Sequence, residues 1–203
     1  MLVHSYYEED PRVRREAESL VASGRPVDVY ALRRPGDPET VELEGVRVRR
    51  LDVQRHQGAG IGTYLAEYLE FFVRAGVAAA RAHPRRRYAL VQVHTIPDFL
   101  AFAALPLRLV GVPLLVDFHE AMPEFFRSRF PRASNPLVHA LLVAQERLSI
   151  AVASAILVVN DALAARVLAM GVPSRKVSVV RNMAALARFD PTDRKSTRLN
   201  SSH

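Results

Sequence analysis

Ala155-Ile156-Leu157-Val158-Val159, then Asp161 to Met170, then Gly171-Val172-Pro173 and Val177-Ser178-Val179-Val180 decide the fold. An unbroken apolar run of strand length is followed by a segment with helical spacing, a glycine stop and a second apolar run. The run does not alternate, so both faces of its strand are covered, as in a parallel sheet with helices on each side. Working outward, the same unit recurs. Leu114-Leu115-Val116-Asp117-Phe118 precedes a short helix from Pro123 to Phe130, a break over Pro131 to Pro136 and a helix from Leu137 to Ala153. Ala89-Leu90-Val91-Gln92-Val93 precedes a helix from Pro97 to Leu109 that stops at Gly111.

The N-terminal part follows the same rhythm. Leu2 to Tyr6 is a short strand-like start, and its position predicts a true start a few residues upstream. Asp10-Pro11 opens a helix as cap and first helical residue, with Val13, Ala17, Leu20 and Val21 on its apolar side and Gly24 at its end. Val27 to Leu32 is the second strand. Val41 to Leu51 alternates around Glu44-Gly45, giving two short strands or one interrupted strand. Asp52 to Gly62 is loop, and Thr63 to His83 is a long helix with Leu65, Leu69, Phe72 and Val73 on one side. Strands alternating with helices predict an α/β class: a doubly wound, Rossmann-like parallel sheet. In such sheets ligands sit beyond the carboxyl ends of the strands. The residues to inspect are Tyr6 to Asp10, His94 to Pro97, His119 to Pro123, Asn160 to Asp161, and Asn182.

Composition narrows the chemistry. The 203 residues are 49% hydrophobic and 24% charged, which excludes wholesale disorder. There is no cysteine, so disulfides, thiolate metal sites and a cysteine nucleophile are excluded. No apolar run reaches the length of a membrane span, which needs about 20 residues. The net charge is +7, but the bases are scattered among acids and no nucleic-acid motif is present, so no nucleic-acid partner is expected. We expect a cytoplasmic protein that can associate peripherally with the inner face of the membrane.

Several motifs are missing. No G-x-G-x-x-G follows the first strand, and Gly58-Ala59-Gly60 follows a polar loop instead, so no dinucleotide cofactor is expected. No phosphate loop of the G-x-x-x-x-G-K-[ST] type occurs, and no Asp-x-Asp. No H-E-x-x-H helix is present, and no metal is assigned. What remains sits at strand ends. His119, after Asp117-Phe118, suits a proton shuttle or a hydrogen-bond donor to a hydroxyl, with Glu120 orienting it or binding a hydroxyl itself; the plainer reading is a cap on the next helix. His94, in Val93-His94-Thr95-Ile96-Pro97-Asp98, has the same placement. Tyr6 and Tyr7 follow the first strand. Arg12 and Arg15, three apart, share a helix face and either meet an anionic group at the cleft or pair with acids, as in Arg12–Glu16. Arg85-Arg86-Arg87 reads as solvated loop. Arg127, Arg129 and Arg132 beside Phe125, Phe126 and Phe130 form a basic-aromatic patch suited to anionic lipid, or else a helix with its aromatics in the core.

Taken together, Asp10-Pro11-Arg12-Val13-Arg14-Arg15-Glu16-Ala17-Glu18-Ser19-Leu20 with Gly24 to Val29, the stretch Asp117-Phe118-His119-Glu120-Ala121-Met122-Pro123-Glu124, and Asn160-Asp161-Ala162-Leu163 with Gly171 to Pro173, Lys176 to Val180 and Asn182 resemble the N-terminal domain of family-4, GT-B-fold glycosyltransferases. The resemblance covers residues 1–192. It implies two Rossmann-like domains facing across a cleft, of which this is the N-terminal, acceptor-side half. It further implies transfer of a sugar from a nucleotide-sugar donor to a glycan or lipid-linked acceptor, with retention and without an obligatory metal. His119 and Glu120 would be catalytic, and His94, Tyr6, Tyr7, Arg12 and Arg15 would bind substrate. The family's Gly-Gly turn after strand one is replaced by Ser5-Tyr6-Tyr7-Glu8-Glu9. Other readings are a non-catalytic module for a surface or polymer, and a sugar-nucleotide epimerase of the same fold.

Asp193-Arg194-Lys195-Ser196-Thr197-Arg198-Leu199-Asn200-Ser201-Ser202-His203 matches the translation of a library-adapter DNA and is read as an artefactual tail. The expectation is that the gene continues past Thr192 into a donor-binding domain, and that this chain alone does not transfer sugar.

Overall fold

The computed structural model describes residues 1–56 and 60–182. The tail 193–203 lies outside the described residues, as do Gly58 and Ala59. Among the described residues the helices are α1 (Pro11–Ala22), α2 (Ile61–Arg86), α3 (Leu105–Leu109), α4 (Met122–Arg129), α5 (Pro136–Val152) and α6 (Asp161–Ala169). The strands are β1 (Asp28–Leu32), β2 (Thr40–Leu43), β3 (Val46–Leu51), β4 (Val91–His94), β5 (Leu114–Phe118), β6 (Ala155–Val158) and β7 (Val177–Val179). A 3-10 segment, Asp98–Ala104, leads into α3 where a continuous helix was expected.

β1-β3-β2 form one set and β4-β5-β6-β7 another. The first residues of the chain join them. Leu2 bridges in parallel to Tyr30 of β1 and to Val93 of β4. Its N–H donates to Gln92 O at 2.8 Å and its carbonyl accepts from His94 N at 3.0 Å, while Val3 N donates to Tyr30 O at 3.1 Å. The result is one sheet, parallel except for β2, which runs antiparallel to β3. The chain leaves the central segment toward β1 and β3, then returns to its other side at β4. That reversal is the switch point at which doubly wound sheets open a crevice.

Local chemistry explains the elements. Asp10 caps α1, accepting from Arg12 N and Val13 N, with Pro11 at the first helical position. Between β2 and β3, Glu44 and Gly45 both take positive φ (49° and 75°), the turn that matches the twist of a two-residue hairpin. Two strands, not one interrupted strand, therefore fill Val41 to Leu51.

β1 divides its side chains by the period of two. Val29 and Ala31 pack with Val3, Tyr7, Val13 and Ala17 under α1. Tyr30 and Leu32 pack on the other face with Leu2, Phe71 and Ala75. The buried side of α2 differs from the expectation. Phe71, Ala75, Ala78 and Ala79 face the core, and Leu65, Leu69 and Val73 are 50%, 47% and 56% exposed. The reason is close approach. A Cβ on Gly76 would lie 2.8 Å from Ala103 O, so the 3-10 segment accepts only the small-residue side of α2. Apolar residues ring most of this helix, so periodicity alone did not choose between its faces. α2 also extends to Arg86, and Arg86 pairs with Asp28 through Nε at 2.8 Å, so this arginine is not solvated loop. No helix among the described residues is long and apolar enough to cross a membrane.

Candidate functional site

Parallel pairing of β4 with β5 places His94 beside Asp117. Adjacent partners in register point to the same face, and His119, two residues past Asp117, returns to that face by strand alternation. Three polar side chains therefore converge at the carboxyl edge of the sheet. His94 Nδ1 lies 2.8 Å from Asp117 Oδ2 in a buried hydrogen bond. His119 Nε2 lies 2.9 Å from the same oxygen, at ion-pair distance. The two imidazoles stack with centroids 5.9 Å apart and planes 7° apart. The His119 backbone N–H donates to Thr95 Oγ1 at 3.4 Å, tying the β5 end to the β4 end.

Burial alone would raise the Asp117 carboxyl; His119 and His94 together outweigh it and hold this acid far below the usual carboxylate range. Asp117 is thus an ionised hub. With Nδ1 of His94 turned to the carboxylate, Nε2 is left as the free nitrogen, and it is buried without a partner. Nδ1 of His119 is likewise buried and unpartnered. A carboxylate that orients an imidazole and leaves its far nitrogen free prepares that nitrogen to take or give a proton.

The two histidines sit on the expected edge, but they are enclosed, not open: His94 is 2% and His119 8% exposed. His94 borders a cavity of about 310 Å³ at the switch point, whose wall includes His4, Ser5, Tyr6, Asp10, Arg12 and Arg55. Tyr6 stands at its rim with the guanidinium of Arg34 4.3 Å and that of Arg55 6.0 Å from its ring centroid. Arg12 reaches the cavity, but its Nε and a terminal nitrogen grip Asp10 at 3.1 Å, not Glu16. Glu16 instead accepts from Gln92 Nε2 at 2.6 Å. Burial raises its carboxyl, with Asp117 adding to the rise and His94 opposing it.

Three expectations need correction. Tyr7 is a core residue, 1% exposed beneath α1, so it does not line the cavity, and burial pushes its phenol up to about 12. Glu120 is exposed, and the acid that orients His119 is Asp117. Arg15 does not reach the cavity wall that Arg12 joins.

Sequence reasoning passed over His4 and Glu67. His4 ends the central segment, with Nε2 3.1 Å from Glu67 Oε1 on α2. Its ring stands edge-on to Tyr68 and Phe71 at 4.6 and 5.1 Å. Glu67 Oε2 also accepts from His56 N at 2.8 Å, which ties down the segment after β3. Burial raises the Glu67 carboxyl, but the contacts to His4 and His56 leave it lowered overall. His4 was findable as a histidine at a strand end; Glu67 depends on how α2 crosses the sheet and left no local signal. Asp117 was findable from its spacing of two from His119.

His94, Asp117 and His119 each offer a ligand atom, all within 4.8 Å of one another, so this set could hold a divalent ion. Metal–nitrogen and metal–oxygen bonds near 2 Å would require the set to draw tighter. As arranged, the imidazoles meet through the carboxylate itself. A larger groove of about 600 Å³ lies between α2 and β3, reaches the ends of β1 and β3 at Arg33, Leu51 and Asp52, and is rich in arginines.

Solved structures share the fold. Sucrose-phosphate synthase from Thermosynechococcus elongatus superposes with a TM-score of 0.65 at 17% identity, over 86% of this chain and 42% of that one. A second structure of that synthase matches at 0.61 and 17% identity, over 90% and 87% of the two chains. A protein assigned as a UDP-N-acetylglucosamine 2-epimerase from Listeria monocytogenes matches at 0.55 and 14% identity, over 88% and 43%. The present chain thus spans less than half of the synthase in the first match. At these identities the likeness is one of fold: the doubly wound, Rossmann-like half of the GT-B architecture that the sequence led us to expect. No curated protein matches. The family model described as a glycosyl transferase 4-like domain matches residues 10–183, which take in α1 and the His94–Asp117–His119 hub, and the chain belongs to that family.

Proposed function

We propose that the protein transfers a sugar from a nucleotide-sugar donor to a glycan or lipid-linked acceptor, and that this domain shapes the acceptor side. The observation that carries the reading is the Asp117 hub, an ionised carboxylate holding two imidazoles at the switch point. The cavity beside it fits the acceptor role. Its acids Glu9 and Asp10 are matched by Arg12 and Arg55, so it suits a neutral, hydroxyl-rich group better than a bare phosphate. His94 Nε2 and His119 Nδ1 are the atoms that would exchange hydrogen bonds or a proton with a sugar hydroxyl. The donor diphosphate belongs on a second Rossmann-like domain, because Glu8 and Glu9 stand where a glycine turn would otherwise admit a phosphate. Retention and independence of metal come with the family resemblance. The cysteine-free sequence accords with a cytoplasmic setting.

The test uses the intact gene product. His119→Ala, assayed well below its own melting transition, should lower sugar transfer by about a hundredfold or more, beyond what the loss of one of the two imidazoles that hold Asp117 costs in stability. Equal loss of activity and stability would make the residue structural. Product analysis that finds an epimerised donor and no transferred sugar would replace the reading with the epimerase one. The present chain alone should neither hydrolyse nor tightly bind the donor in calorimetry, since on this reading the diphosphate is held by a second Rossmann-like domain.

A further inference from the structure

Helix α2 buries Glu67, Phe71, Ala75, Gly76, Ala78 and Ala79, and Glu67 alone among these is charged. Its side chain is 2% exposed. A carboxylate one turn before Phe71, on a side otherwise packed into the core, gives up hydration that an apolar residue would not miss. What replaces that water lies toward the switch-point cavity. Oε1 is at ion-pair distance from His4 Nε2, 3.1 Å. Oε2 accepts from His56 N at 2.8 Å, with His56 Nδ1 3.7 Å away. A buried carboxylate between two imidazoles repeats the arrangement at Asp117, from the other face of the sheet. By strand alternation His4 sides with Leu2, which shares a core with Val93 and Phe71, whereas His94, next to Val93, turns the opposite way. The two histidines nevertheless wall the same cavity of about 310 Å³ at the sheet edge. With Nε2 turned to Glu67, Nδ1 is the nitrogen of His4 left for a ligand.

We propose that Glu67 is a positioning residue of this cavity: it orients His4 so that Nδ1 accepts a hydrogen bond from a hydroxyl of the acceptor. The inference rests on the acceptor reading above and adds to it a second grip, facing the one that His94 supplies. A neutral imidazole has one donor and one acceptor nitrogen, and a carboxylate on one of them fixes which is which. The proton stays on Nε2, toward Glu67, and Nδ1 presents its lone pair. Two imidazoles that arrive from opposite faces of the sheet, each backed by a buried acid, suit a ligand with hydroxyls on two sides, as a sugar ring has. Packing alone does not call for this pair, since apolar side chains of similar volume hold a helix to a sheet as well as a buried ion pair does. A contact to a hydroxyl that does not react is made before and during transfer alike. It therefore shows in acceptor affinity and not in turnover.

Two measurements test it. In the present chain at about pH 8, above the usual imidazole range, nitrogen-15 NMR should find His4 in one tautomer, protonated at Nε2. Glu67→Gln should mix the tautomers, because a carboxamide donates as well as accepts. In the intact gene product, Glu67→Gln and His4→Gln should each raise the acceptor KM by about tenfold, with kcat and the donor KM within about threefold. The double variant should be no worse than His4→Gln alone, since Glu67 acts through His4. Far-UV circular dichroism checks folding; if Glu67→Gln does not fold, the wild-type tautomer and His4→Gln decide the matter. A wild-type His4 protonated at Nδ1 would overturn the proposal. So would an acceptor KM that neither variant moves while the melting temperature falls, or effects that multiply in the double variant. A gene product that transfers no sugar removes the acceptor reading instead, and the tautomer then upholds or overturns the orientation of His4 by itself.

Discussion

Asp117 lies near the end of β5 and Asp98 just past the neighbouring β4, and the two are buried to almost the same degree, yet their chemistry diverges. Asp117 meets two imidazoles within 3 Å and is held far down the acid scale. Asp98 has no hydrogen-bond partner at either carboxyl oxygen. Burial pushes it up to about 8, with Glu146 adding to the rise and Arg166 opposing it. Burial costs both acids the same kind of hydration; what differs is whether a cation or donor replaces the lost water. Arg166, the cation that opposes the rise, is already engaged. Arg166 donates to Glu146 at 3.1 and 2.7 Å and to Glu124 at 2.8 Å, clasping α6 to α5 and α4. The same sheet edge therefore holds one acid ionised between two imidazoles and one acid neutral inside its packing.

The comparison breaks most visibly at Asp117. Asp117→Asn keeps the shape and removes the charge that both imidazoles face. We expect a loss of about 3–5 kcal/mol at neutral pH in urea unfolding. The native carboxyl sits below its unfolded value, so its contribution is complete above about pH 4 and is lost as pH falls through the native value. The variant should therefore lose that part of the acid-unfolding limb. An unchanged limb would mean that the histidines do not stabilise the carboxylate.

Asp98 sharpens the comparison with the opposite sign. Its native value lies above its unfolded one, so the native state binds the extra proton and stability falls as pH rises from about 4 toward 8. Asp98→Asn, which mimics the neutral acid, should remove that slope. Relative to wild type it should gain about 3–4 kcal/mol between pH 5 and pH 8 in the same assay. A parallel pH profile in the two proteins would show that Asp98 finds a partner in solution.

How much of this was legible in the sequence differs between fold and site. Apolar runs such as Ala155 to Val159 can only be two-sided strands, and Asp10-Pro11 marks its helix start chemically, so the parallel sheet followed from local pattern. The buried side of α2 did not, because Leu65, Leu69 and Phe71 suit a core equally and only Gly76 against Ala103 decides between them. The strand-end histidines were legible because topology alone puts them on the carboxyl edge. Their partners were less so. Asp117 shows only in the alternation with His119, and the burial of Asp98 depends on α5 packing over it, with Ser149 Oγ donating to its backbone carbonyl at 2.9 Å. A carboxylate at a helix start ordinarily caps that helix in solvent, and nothing local marks this one as enclosed.

The measurement closest to the central claim is a carbon-13 titration of the side-chain carboxyls by NMR, with Asp117→Asn and Asp98→Asn used for assignment. The account predicts that Asp117 remains ionised well below pH 4 while Asp98 titrates near 8. If both carboxyls titrate together near 4, Asp117 is not an ionised hub for His94 and His119, and the proposed site loses its basis.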